Sequence, residues 1–155
     1  MLKPCKAVEY LSALDKVLKK WRREGVQLLS PRDEPAVIAS LSKTGHKFSR
    51  DVVDLYCVTG GMEDADGALW ALWPLERIIS ENAAYERPYI LFADYLINSH
   101  LYCFKYVTEE TSAVHVDFFD GNEPKRVAGT VAEFFELYLS DAEKLEIWDL
   151  PPRRI

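Results

Sequence analysis

Apolar positions early in the chain recur at steps of three and four. Val8, Leu11, Leu14, Val17, Leu18 and Trp21 share one stripe, which predicts an amphipathic helix over about 6–23. Lys16, Lys19, Lys20, Arg22 and Arg23 lie on its other side and at its end, where cations complement the helix dipole, and Gly25 can stop it. A solvated helix face accounts for this basic cluster better than a phosphate site does. Ser30 to Pro35 reads as a turn and cap, followed by a short helix over 36–41 that ends near Gly45. Ser49 caps another helix, with Asp51 in its first turn and Gly60-Gly61 as its left-handed stop.

Beyond Gly61 the pattern shortens. Residues 68–73 form a brief apolar strand, and Pro74 bars its simple continuation. Leu75, Ile78 and Ile79 share one side of a helix over 75–84. Segments 89–95, 101–107 and 113–119 then alternate with period two, and they are rich in aromatic and β-branched residues. Short connections between them indicate an antiparallel meander, closed by Asp120-Gly121-Asn122. Thr130-Val131-Ala132-Glu133 is a capping box that opens a helix with Phe134, Leu137 and Tyr138 turned inward. Pro151 and Pro152 should end the structured chain. The expected fold is therefore α+β: one domain with a mostly antiparallel sheet of about four to six strands flanked by helices.

Composition agrees with a packed domain. With 155 residues and 48% apolar content, folding buries roughly 68–70% of the surface that an unfolded chain exposes. No apolar run reaches about 18 residues, so no membrane span is expected. Cys5, Cys57 and Cys103 are odd in number and widely spaced, the usage of reduced thiols in a cytoplasmic protein. Charge is divided along the chain. Residues 1–50 carry eleven Lys/Arg against five Asp/Glu, while 51–155 carry eight against twenty. So acidic a body repels nucleic acid and favours encounter with a basic partner.

Chemistry-bearing motifs are thin. There is no Gly-rich phosphate loop, HExxH or GxSxG, and Gly60-Gly61 lacks the lysine of a phosphate cradle. His115 and Asp117 share a strand face, and Asp94 on a neighbouring strand can join them. Such a trio is either a metal or acid–base site or, more simply, the solvated face of a sheet. His46 and His100 stand alone in loops. Glu63, Asp64 and Asp66 echo a calcium loop but lack its bidentate glutamate. Trp70 and Trp73, three apart on a strand, point to opposite faces; if the second face is open, one indole can anchor a partner.

The order of these signatures resembles a known family. A helix ending in Gly60-Gly61 precedes Leu72-Trp73-Pro74-Leu75-Glu76-Arg77-Ile78 and Ile90-Leu91-Phe92-Ala93-Asp94-Tyr95. Tyr102-Cys103-Phe104 and a closing helix over 130–139 follow. Over about residues 30–140 this resembles the SUKH superfamily of Smi/Knr-type fungal cell-wall regulators and bacterial immunity proteins. The resemblance implies an antiparallel sheet flanked by helices, and the task of neutralising a toxin of nuclease or deaminase type. The long basic N-terminal helix departs from that pattern.

The combined expectation is a non-catalytic binding protein without metal or cofactor. Its partner is a cognate protein toxin with a basic surface, with neither nucleic acid nor membrane involved, and a homodimer remains open. Expected contacts are Glu63, Asp64, Asp66, Trp70, Asp94, Tyr95, His115 and Asp117. Two alternatives stand beside it: a regulatory scaffold with several partners, and a small metal-dependent enzyme using His115, Asp117 and Asp94.

Overall fold

The computed structural model describes residues 5–148, with side chains from residue 13 onward. The predicted end at Pro151 and Pro152 lies outside the described residues, as do the side chains of Val8 and Leu11. Among the described residues, five antiparallel strands form an open sheet in chain order: β1 (Trp70–Leu72), β2 (Ile90–Tyr95), β3 (His100–Tyr106), β4 (Ser112–Asp117) and β5 (Lys125–Ala128). Five helices accompany it: α1 (Cys5–Arg23), α2 (Glu34–Ser42), α3 (Arg50–Val58), α4 (Leu75–Asn82) and α5 (Val131–Ser140). A 3-10 turn at Ala142–Leu145 follows them. The fold is α+β, as the sequence predicts.

Register assigns each side chain to a face. Trp70, Tyr95 and His100 are paired across β1 to β3, and Leu72, Ala93, Tyr102 and Val116 across β1 to β4. This face packs under α1 and α5 in an aromatic cluster. Trp21 stacks on Trp70 at 6.0 Å between ring centroids, with Phe134 and Tyr138 at 5.6 and 5.3 Å from Trp70. A bulge between Leu91 and Ala93 leaves Phe92 unopposed and lets its ring lie on Phe104 at 3.8 Å. Each fully buried ring of this kind contributes roughly 1.5–3 kcal/mol. Truncating Trp70 to alanine would also leave a cavity, for a cost of about 3–5 kcal/mol.

The opposite face is where expectation and structure part. Ala71, Asp94, Leu101 and Asp117 form one cross-strand row, and Cys103 and His115 another. The sequence suggests a solvated polar face here, yet all residues of β2 and β4 are buried. The α4 helix and the chain after it cross this face. Asn82 bonds the Leu91 backbone in both directions, and Tyr85, Arg87 and Tyr89 reach Asp117 and His115.

Two local expectations need correction. The α3 helix stops at Thr59 in an extended conformation, and Gly60 just after it is not left-handed. Gly60 is required instead by close approach, because a Cβ there would collide with the Ser30 carbonyl. Gly61, at φ +103, abuts the Pro74 backbone. The β5 strand has no counterpart in the sequence reading, because Lys125-Arg126-Val127-Ala128 is short and half of it is charged.

Candidate functional site

The acidic loop runs along the outer edge of β1. Met62 N–H donates to the Leu72 carbonyl at 2.8 Å, Glu63 N–H to Gln27 at 3.0 Å, and Asp66 N–H to Trp70 at 2.8 Å. Its three acids have different fates. One oxygen of Asp66 accepts the N–H groups of Ala68 and Trp70 at 2.9 and 3.0 Å, and the other accepts Trp21 Nε1 at 3.3 Å. Burial raises this carboxyl above its usual range, opposed by the Trp70 and Ala68 N–H groups, the Lys20 charge and the Trp21 indole. Asp66 thus pins the loop to the core through its three hydrogen bonds. Glu63 and Asp64 remain exposed.

On the sheet face the three expected partners occupy three separate networks. Asp94 accepts Trp73 Nε1 at 2.6 Å, Asn98 N–H at 3.3 Å and an ion pair from Arg77 at 3.4 Å. Arg77 also lies over the Trp73 ring at 4.2 Å and donates to the Asn98 side chain at 3.0 Å. Asp117 accepts the Tyr85 hydroxyl at 2.7 Å and Phe119 N–H at 2.8 Å, with Arg87 at 3.6 Å. His115 sets Nδ1 3.3 Å from the Pro124 carbonyl, its ring against Tyr89. Desolvation holds this imidazole below its ordinary pKa, opposed by Pro124 and aided by the Lys105 and Arg126 charges. Leu101 stands between Asp94 and Asp117 in the register, which separates their strands by about 10 Å. Among the described residues no three His, Cys, Asp or Glu side chains converge as a metal-binding group. The trio is not assembled as a metal centre.

The expected contacts therefore divide. Glu63 and Asp64 are presented to solvent, whereas Asp66, Trp70, Asp94, Tyr95, His115 and Asp117 are buried. Trp70 and Trp73 do serve opposite faces, but α4 and Arg77 close the second one, so neither indole is available as an anchor. Cys103 is likewise enclosed, and burial pushes its thiol far above the ordinary range.

What the sequence reading missed is the sheet end next to the acidic loop. Ile97 in the β2–β3 turn is 83% exposed, and Trp148 is 49% exposed beside Tyr95. Leu69, Leu96, Ile97 and Asn98 all have left-handed backbones, at φ +68, +53, +52 and +67. Asn98-Ser99 does mark a turn in the sequence, but nothing there signals left-handed leucine and isoleucine. No family model matches this chain, and no curated protein matches it.

Proposed function

We propose that this chain is a non-catalytic protein-binding module, an immunity protein that covers and neutralises a toxin with a basic surface. The observation that carries the reading is the pairing of exposed Glu63 and Asp64 with buried Asp66, which holds their loop by three hydrogen bonds. Carboxylates on a loop already fixed in place attract a cationic partner at long range and lose little entropy on contact. The SUKH resemblance supplies the class of partner, a nuclease or deaminase domain, and a cytoplasmic site of action. His115, Asp117 and Asp94 support the fold in this reading, each held by its own internal partners.

The test is association with a candidate toxin domain, followed by stopped-flow across ionic strengths. A one-to-one complex whose association rate falls with added salt is expected. Failure to form a complex at micromolar concentrations with any toxin that this chain protects against would overturn the proposal. So would substrate turnover by the isolated chain that His115→Ile or His115→Asn abolishes.

A further inference from the structure

We infer that the end of the sheet formed by the β2–β3 turn and Trp148 is the docking surface, with Ile97 and Trp148 as anchors. Its occupant is a protein offering an apolar socket flanked by Lys or Arg. The inference rests on the binding-module reading and names the surface that reading leaves open.

The turn is costly for what it displays. Left-handed backbone is sterically unfavourable for residues with a Cβ, and most of all for a β-branched one. Here three such residues follow in succession, and the middle one, Ile97, points a branched apolar side chain into water. Glycine or asparagine would satisfy the same backbone without either penalty. Strain of this kind persists only where surrounding structure over-determines it. That bracing is present: Leu96 N–H donates to the Leu69 carbonyl at 3.0 Å, and Ser99 N–H to the Tyr95 carbonyl at 3.0 Å. Asn98 is held by Asp94 through its N–H and by Arg77 through its side chain.

The second anchor is positioned by the same strand. The Tyr95 hydroxyl donates to the Trp148 carbonyl and accepts its N–H at 2.9 Å, which fixes the backbone and leaves the indole half exposed. Tryptophan held this way is a frequent centre of binding energy. Charge complementarity selects the partner. The Asp66 carbonyl receives Leu69 N–H at 2.9 Å, and the Leu69 carbonyl in turn receives Leu96 N–H at 3.0 Å. This chain of bonds joins the loop of Glu63 and Asp64 to the Ile97 turn. The nearby Lys20 ammonium is taken up by Glu24 at 2.6 Å. A protein with cations around an apolar socket matches both features.

The test uses the full chain with Ile97→p-benzoylphenylalanine or Trp148→p-benzoylphenylalanine, irradiated in the cells that make it. The same probe at Glu110, in the exposed turn at the other end of the sheet, is the control. The captured protein is then purified and titrated against wild type, I97D, W148A and I97G. Expected is one Lys/Arg-rich protein captured from positions 97 and 148 but not 110, bound roughly thirty-fold more weakly by I97D. Expected also is that I97G raises the melting temperature by roughly 2–4 °C while weakening binding at least about ten-fold. Capture of a second copy of this chain, of lipid, or of nothing overturns the surface. So does binding by I97D and W148A within twofold of wild type, an outcome that leaves the binding-module reading standing. A wild-type chain that binds no protein defeats both.

Discussion

Tyr95 holds Trp148 by both backbone groups, its hydroxyl donating to the carbonyl and accepting the N–H at 2.9 Å. One strand over, the Tyr102 hydroxyl donates to the Leu145 carbonyl at 2.7 Å. These two phenols fasten the segment after α5 to the sheet, where Leu145 and Ile147 are buried. Tyr95→Phe removes both bonds to Trp148 and little volume. At roughly 1 kcal/mol for each lost bond, the melting temperature should fall by about 4–8 °C. Trp148 emission should shift to the red and amide exchange should rise over residues 145–148. An unchanged melting curve would show that the clasp contributes nothing.

The acidic loop should separate stability from recognition. Glu63 and Asp64 are solvated, so replacing both by alanine should change stability by less than about 0.5 kcal/mol. Asp66→Ala leaves the Trp70 N–H, the Ala68 N–H and part of the Trp21 indole without their acceptor. That change should cost about 2–3 kcal/mol, read from urea midpoints. In the toxin assay the double variant should slow association and flatten its salt dependence. Equal stability losses for the two variants would contradict the division of roles.

Two buried groups should drive stability in opposite directions with pH. Asp51 lies where α3 meets the β3–β4 turn. It accepts the Ser49 hydroxyl and, at 3.3 Å, the Ser112 N–H, and Ser49 also pairs with Ser112. Desolvation pushes its pKa up to about 6, against the hydrogen bonds from Ser49, Ser112, Val131 and Val52. A folded-state pKa above the unfolded one means that folding takes up a proton between about 6 and 3.8. Asp51 therefore adds stability as pH falls through that window, by about 1–3 kcal/mol. His115 has a lowered pKa, so its contribution is present above 6.5 and is lost as pH falls below that value. Relative to wild type, Asp51→Asn should remove a gain on acidification, and His115→Gln should remove a loss. Denaturant titrations from pH 4 to 7.5 check both signs; parallel curves for all three proteins would refute them.

Periodicity alone determined most of the secondary structure. The apolar stripe through Leu14, Val17, Leu18 and Trp21 lies in α1, and the alternation over 101–107 and 113–119 lies in β3 and β4. The Thr130 cap was equally legible, since its hydroxyl accepts Glu133 N–H at 3.0 Å. These signals are local, because each depends only on the repeat of one element against a core. The coverage of the second sheet face is not local. Asp94, His115 and Asp117 alternate like solvated residues, and only the path of α4 and of Tyr85, Arg87 and Tyr89 across them makes them buried. Tertiary structure likewise decided that Asp66 turns inward while Glu63 and Asp64 stay out, and that Ile97 and Trp148 share one end of the sheet. Residues distant in sequence make those choices through hydrogen bonds and burial, and a local pattern holds no record of them.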